Sequence, residues 1–94
     1  MIASLRGKLL YSDNQYAVVE CGGDGFKFQA SLRTLVKLSN IGSEVFVHTY
    51  MSVREDAIDL YGFSSVDELE CFKLVTSVNG LGSKMAIALL SEFT

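Results

Sequence analysis

The sequence predicts a mainly β fold, a small five-stranded barrel followed by the start of a helical domain. Residues 1–63 alternate short apolar stretches with turn-forming residues, which is typical of successive strands. Residues 64–94 instead carry apolar residues at helical spacing, in two stretches separated by a glycine-rich turn. We therefore expect two domains, a barrel over 1–63 and a truncated helical domain over 64–94.

Turn signals divide the first domain into its predicted strands. Residues 12–14 end the first strand, and the glycine-rich segment 22–25 is a strong hairpin signal. One or two turns of helix are predicted over 31–38. Five strands with a short helix between the third and fourth indicate an OB-like barrel. The predicted strands are 2–11, 16–21, 26–30, 44–53 and 57–63.

The second domain begins with a helix whose start has the pattern of a capping box. Ser65 is the predicted N-cap, and the Glu68 side chain is expected to return to its backbone amide. Ser83 is the predicted N-cap of the second helix, which is apolar on nearly every face and needs a cover that a helical hairpin alone cannot supply. We expect more helical chain to follow. The predicted apolar stripe of the first helix is Val66, Leu69, Phe72, Val75 and Val78.

A Gly-apolar-Gly turn connects the two helices in the pattern of a helix-hairpin-helix. Gly80 and Gly82 can adopt backbone angles closed to other residues, and Leu81 is expected to point inward and pin the turn. The following helix offers unpaired N–H groups, and Lys84 adds a positive charge beside them. A nucleic-acid phosphate suits this site, whereas a plain glycine C-cap is the structural alternative. The candidate phosphate-binding residues are Asn79, Gly80, Leu81, Gly82, Ser83 and Lys84.

The net charge of −3 opposes long-range attraction to DNA. Residues 1–63 carry six Lys/Arg against seven Asp/Glu, and residues 64–94 carry two against four. Binding would therefore be local, and each charge-assisted hydrogen bond contributes about 1.5–3 kcal/mol. Several hairpins in one oligomer would be needed for useful affinity.

Five segments of the chain, in order and spacing, resemble the RuvA family. This family is the bacterial Holliday-junction recognition subunit of the RuvAB branch-migration machine, and the resemblance runs through all 94 residues. The segments are Met1-Ile2-x-x-Leu5-Arg6-Gly7, Gly22-Gly23-x-Gly25-Phe26, Val53-Arg54-Glu55-Asp56-Ala57, Leu60-Tyr61-Gly62-Phe63 and Asn79-Gly80-Leu81-Gly82-x-Lys84.

The resemblance implies a non-enzymatic scaffold for DNA recombination, repair and the SOS response. Family members have an OB-like barrel, a helical domain with two helix-hairpin-helix motifs, and a C-terminal domain that contacts a RuvB-type motor ATPase. A homotetramer, or an octamer on DNA, holds a four-way junction open. The second hairpin and the motor-binding domain have no counterpart in these residues. The partner hydrolyses ATP, so no cofactor is expected here.

An acidic pair in the barrel domain gains a role from the same resemblance. The residues alone predict that Glu55 and Asp56 form a charged β-turn. The resemblance implies an acidic pin at the junction centre, near the four-fold axis. For the adjacent Arg54 the residues leave two alternatives open, a phosphate contact or a pair with an acidic neighbour such as Asp59.

Catalytic and metal chemistry have little support in the sequence. His48 is the only histidine, and Cys21 and Cys71 are too few and too far apart for a metal site. No phosphate-loop motif, secretion signal or membrane-spanning run is recognisable, and two unpaired cysteines agree with the cytoplasm.

Two other functions remain open at this level. The chain could be a stand-alone OB module that stacks single-stranded nucleic acid on aromatic side chains, or a protein–protein oligomerisation module. Most of the aromatics read better as core or as one strand face. They are Tyr11, Tyr16, Phe28, Phe46 and Tyr50.

Overall fold

In the part of the chain that the structure describes, five strands and three helices follow one another in the predicted order. The computed structural model describes residues 1–38, 40–78 and 80–92. The prediction of a five-stranded barrel with a short helix between the third and fourth strands is confirmed. The elements are β1 (Ser4–Ser12), β2 (Tyr16–Cys21), β3 (Asp24–Ala30), α1 (Leu32–Lys37), β4 (Glu44–Val53), β5 (Ile58–Phe63), α2 (Val66–Val78) and α3 (Ser83–Glu92).

The barrel closes in the strand order β1-β2-β3-β5-β4. Neighbouring strands are antiparallel except for β3 and β5, which pair in parallel through Gln29 with Tyr61 and Ala30 with Gly62. A side chain at Gly62 would overlap the Phe28 ring. Glycine at this position therefore allows the closing strands to approach each other.

The barrel core follows from the alternation of side chains along the strands. Inward-facing residues of four strands form one buried cluster, to which Leu35 of α1 and its C-cap residue Leu38 are added. The N-cap of α1 is Ser31, whose Oγ accepts a hydrogen bond from the Thr34 backbone N–H at 3.3 Å. The strand residues of the cluster are Leu5, Leu9, Ala17, Val19, Phe28, Ala30, Val45 and Val47.

Asp13 fixes the turn between β1 and β2. Its carboxylate accepts hydrogen bonds from the backbone N–H groups of Gln15 and Tyr16 at 2.8 and 2.7 Å. These two bonds, with one from the Tyr11 hydroxyl, hold the pKa of Asp13 below its usual value. The turn predicted from residues 12–14 thus has a specific Asx-type geometry.

A second buried cluster joins the helices to the barrel. The Phe72 side chain of α2 is fully buried, and its ring centroid lies 5.5, 5.4 and 5.0 Å from those of Tyr50, Tyr61 and Phe63. Aromatic pairs at these separations add to the free energy of burial. From α3, the cluster includes Ala86, Ile87 and Leu90.

Of the two hydrogen bonds that the capping box predicts, one forms and the prediction of the other was wrong. Ser65 Oγ accepts a hydrogen bond from the Glu68 backbone N–H at 3.2 Å, as predicted. The Glu68 carboxylate, however, does not return to the Ser65 amide. It is buried and accepts hydrogen bonds from Ser31 Oγ and Thr34 Oγ1, each at 2.5 Å. Glu68 therefore connects α2 to the barrel helix α1.

Three further details of the helices differ from the predictions. In α2 the apolar stripe is shorter, because Val66 and Val78 are exposed. In α3 the Ala86 N–H donates to the Gly82 carbonyl at 3.0 Å, so Gly82 occupies the N-cap position and Ser83 is the first helical residue. Met85 and Leu89 of α3 face solvent, whereas Ala86, Ile87 and Leu90 supply its buried face.

Candidate functional site

The hairpin between α2 and α3 has one residue in the left-handed region. Gly80 has a φ of +69°, a backbone conformation that residues other than glycine adopt only at a cost in free energy. Gly82 was predicted to be able to adopt such angles as well, but its φ lies outside that region. A Cβ at Gly82 would meet no atom within 4 Å, so its backbone is open to a ligand. Asn79 lies outside the described residues.

The start of α3 leaves backbone donors without helical partners. Because the first intrahelical bond comes from Ala86, the N–H groups of residues 82–85 have no carbonyl of their own helix to bind. The Lys84 side chain belongs to this first turn and is exposed. Ser83 is half-buried. The geometry suits an anion at the positive end of the helix dipole.

Leu81 does not sit in the buried cluster that joins the two helices. It is half-buried and lines a cleft between the hairpin and the barrel. The expectation that Leu81 points inward and pins the turn between the helices was therefore wrong in this respect. Docking of α2 on β4 and β5 through Phe72 fixes the hairpin in place.

Two adjoining clefts separate the hairpin from the barrel, with volumes of about 450 and 370 Å³. Both are lined by Asp59, Tyr61 and Lys84, so they form one continuous depression, which we call the hairpin groove. The larger part is also lined by Ser52, Arg54 and residues 81–83 and 85. The smaller part is also lined by Tyr16, Lys27, Gln29, Ile58 and Leu60.

Three cationic side chains line the hairpin groove. Arg54 Nη2 lies 2.9 Å from Asp59 Oδ2, so of its two alternatives Arg54 adopts the pair with the acidic neighbour. Lys27 Nζ lies 4.4 Å from the centre of the Tyr16 ring, a cation–π contact. Lys84 lies on the opposite, hairpin side of the groove.

Tyr61 adds a neutral hydroxyl to the groove. Its pKa is raised, chiefly because its surroundings are poor in water, and the charge of Asp59 acts in the same direction. The nearby Ser83 side chain acts on this pKa in the opposite direction. The phenol therefore stays protonated at neutral pH and can donate a hydrogen bond to an anion.

The acidic pair lies at the tip of the β4–β5 hairpin. The Arg54 N–H donates to the Ala57 carbonyl at 2.8 Å and closes a two-residue turn over Glu55 and Asp56. Both acidic residues are exposed, and neither has an ion-pair partner among the described residues. The charged β-turn predicted from the sequence is present, next to the Arg54 end of the hairpin groove.

The aromatic side chains offer little free stacking surface. Phe28 is buried, Tyr50 packs on Phe72, and Lys27 covers a face of Tyr16. Tyr11 is half exposed and donates its hydroxyl to Asp13 at 2.8 Å. Phe46 packs between Arg6 and His48 on the outside of the barrel.

No metal site is evident in residues 1–38, 40–78 and 80–92, where no three His, Cys, Asp or Glu side chains cluster suitably. His48 contacts Phe46 at 5.0 Å between ring centroids, and Cys21 Sγ donates to the Arg6 carbonyl at 3.2 Å. Cys71 is exposed on α2. None of the helices in the described part of the chain has the length and apolar character to cross a bilayer.

Comparison with known proteins gives a family. Residues 1–62 match the model of the RuvA N terminal domain. The chain belongs to the RuvA family. Over all 94 residues it is 46% identical to the Holliday junction branch migration complex subunit RuvA of Acetivibrio thermocellus, and 47% identical to the same subunit of Rubrobacter xylanophilus. It covers 46% and 48% of these two RuvA proteins, about half the length of the relatives it matches.

Sequence reasoning missed much of the hairpin groove in this RuvA chain. Lys27, Asp59 and Tyr61 were not predicted as site residues, because they come from strands far in sequence from residues 80–84. The docking of α2 brings them together, and no local pattern signals it. In the sequence, the only indication of Asp59 was its position as a possible ion-pair partner of Arg54.

Proposed function

We propose that this chain is the N-terminal, DNA-contacting part of a RuvA protein that recognises four-way junctions without reading their sequence. The supporting observation is the open start of α3 after the left-handed Gly80, with Lys84 beside it and facing the barrel across a groove. Backbone donors and one lysine suit a phosphate and carry no base information. The names of the relatives favour a Holliday junction as the DNA structure bound.

The whole protein would act as a non-enzymatic scaffold in the cytoplasm. One hairpin offers only a few phosphate contacts, so a homotetramer, or an octamer on DNA, would supply the affinity through several linked sites. A RuvB-type motor ATPase would bind a part of the protein outside this chain and drive branch migration. The barrel would carry the contacts between subunits.

Glu55 and Asp56 would act as the acidic pin of this assembly. Two unit charges about 10 Å apart in water repel by roughly 0.4 kcal/mol, and salt reduces this value further. A single pair therefore has little effect. Eight carboxylates from four subunits, facing several phosphates, would sum to a few kcal/mol and keep duplex DNA out of the centre.

A gel-shift competition tests the proposed function directly. The chain is mixed with a labelled synthetic four-way junction and challenged with linear duplex of the same sequence at about 0.1 M salt. Selective retention of the junction supports the proposal. Equal binding to both DNAs contradicts junction recognition by this chain, and preference for a single-stranded oligonucleotide would favour the stand-alone OB module.

Lys84→Glu should weaken binding to every DNA structure by at least about tenfold, since one charge-assisted contact becomes a repulsion. The salt dependence of binding should decrease by about one phosphate contact, measured as the slope of log Kd against log salt. The control is Lys8→Glu, which makes the same charge change on β1, where Lys8 pairs with Glu44 of β4. If both variants bind equally well, Lys84 makes no phosphate contact.

Glu55→Gln with Asp56→Asn should reduce the preference for junction over duplex while leaving the fold intact, because both side chains are exposed. The readout is the ratio of the two dissociation constants, together with the branch-migration rate in the presence of the motor. Glu20→Gln with Asp24→Asn removes two carboxylates from the β2–β3 hairpin as a control. An unchanged ratio and an unchanged rate would rule out the pin.

A further inference from the structure

Asp59 is the one acidic side chain lining the hairpin groove in the described part of the chain. It lines both parts of the groove, and its carboxylate holds the Arg54 guanidinium at 2.9 Å. Lys84 lines the same two parts, and Lys27 lines the smaller one. A carboxylate thus lines a depression whose other charged groups are cations.

This placement is unfavourable for a groove that receives phosphate. Asp59 repels a phosphate and occupies the donors of the Arg54 side chain. It contributes little to folding in return, since Arg54 and Asp59 side chains are 61% and 37% exposed and such surface pairs add little stability. The weakness of the pair also means that a competing anion can separate it.

We propose that Asp59 is a resident competitor for Arg54 that a DNA phosphate displaces. Without DNA, Asp59 holds the guanidinium along β5. When a strand lies between the start of α3 and the barrel, a phosphate takes the place of the carboxylate, and Arg54 becomes the barrel-side phosphate contact opposite Lys84. This inference rests on the proposed function, because it assumes that the groove receives a phosphodiester backbone.

The exchange makes binding depend on both sides of the groove. A phosphate that reaches only Arg54 must displace Asp59 with no other gain. A strand that also engages Lys84 and the backbone N–H groups of residues 82–85 makes several new contacts at once. Asp59 therefore weakens the binding of isolated anions more than the binding of a correctly placed strand.

The test compares Asp59→Asn with a matched charge-neutral variant. Glu44→Gln also removes a carboxylate that pairs with an arginine, here Arg6 at 3.7 Å. Glu44 begins β4, whereas Asp59 pairs with Ser52 near the end of that strand, eight residues on, or about 26 Å at strand spacing. Both variants change the net charge equally, so a general charge effect would change their affinities alike.

Binding of each variant to a labelled four-way junction is measured by fluorescence anisotropy across a series of salt concentrations. Asp59→Asn should bind roughly three- to tenfold more tightly than the unmodified chain, while Glu44→Gln changes affinity by less than about twofold. Arg54→Ala should remove most of the gain, so that Asp59→Asn improves binding much less in the Arg54→Ala background than in the unmodified chain. Thermal unfolding checks that each variant folds, and Asp59→Ser serves as a second neutral replacement.

Each outcome separates the inference from the proposed function. A gain in Asp59→Asn that persists in full without Arg54, or that Glu44→Gln matches, overturns the competitor role and leaves junction recognition standing. Equal binding of the unmodified chain to junction and duplex, with an Arg54-dependent gain in Asp59→Asn, retains the competitor role and overturns junction recognition. Absence of DNA binding by all variants overturns both.

Discussion

The barrel and the helical hairpin differ in how each acquires its order. The barrel encloses its own core, because alternate side chains of its strands point inward and α1 with its C-cap adds two leucines. The hairpin packs Phe72 of α2 against β4 and β5, buries one face of α3 in the same cluster, and leaves several apolar residues exposed. The barrel is therefore ordered by its own contacts, and the hairpin by the barrel. The large apolar residues that stay exposed are Val66, Leu74, Val78, Met85 and Leu89.

Phe72→Ala should have the largest effect on the hairpin and tests whether the hairpin depends on the barrel for its order. Removing a fully buried aromatic side chain costs about 3–5 kcal/mol. We expect the hairpin to lose its docking while the barrel stays folded, since Phe72 lies outside the barrel core cluster. Amide hydrogen exchange should show lost protection in α2 and α3 and retained protection in β1 and β2.

Leu74→Ala is the control for that prediction. Leu74 lies on the same helix with 60% of its surface exposed, so its removal should change the free energy of unfolding by less than about 0.5 kcal/mol. Equal loss of protection in barrel and hairpin amides of Phe72→Ala would show that the two regions unfold as one unit.

Glu68→Ala tests the polar connection between the two regions. It leaves the buried hydroxyls of Ser31 and Thr34 without their acceptor, at a cost of about 1.5–3 kcal/mol for hydrogen bonds to a charged group. Urea unfolding measures this cost. Glu70→Ala on the exposed side of α2 should cost less than about 0.5 kcal/mol. Similar costs for the two variants would contradict the structural role of Glu68.

The smallest expected effect on stability comes from substituting either of two glycines in the hairpin, Gly80 and Gly82. Gly80→Ser should cost about 1 kcal/mol, because serine must adopt the left-handed conformation. Gly82→Ser should cost almost nothing, since its Cβ meets no atom and serine is a favoured N-cap residue. The readout is the difference in unfolding temperature between the two variants. Equal unfolding temperatures would show that the left-handed backbone at residue 80 does not disfavour serine.

The sequence predicted those features that depend on residues close together in the chain. The bounds of β2 and β4 and the N-cap at Ser65 agree with the structure, since alternation and capping are local signals. The strand β3 was predicted two residues too short, because the turn residues Asp24 and Gly25 already belong to the strand. The strand β5 was predicted one residue too long, because Ala57 still belongs to the turn.

Features that depend on tertiary contacts were not predictable in this way. Nothing near Glu68 in the sequence indicates that Ser31 and Thr34 would compete with its own helix start for its carboxylate. The same holds for the exposure of Val66 and Val78, which follow the helical spacing but extend beyond the barrel surface that Phe72 meets. The hairpin groove arises only once α2 has docked. Its site residues remain predictions until binding is measured.

The strand β5 closes the barrel through its parallel pair with β3, and it also supplies part of the surface on which the helices dock. On its other side it pairs with β4. Phe72 packs on Tyr61 and Phe63, both of which belong to β5. Synthesis on the ribosome proceeds from the N-terminus, so the barrel emerges before α2. We expect the nascent chain to complete the docking surface before the helices that depend on it leave the exit tunnel.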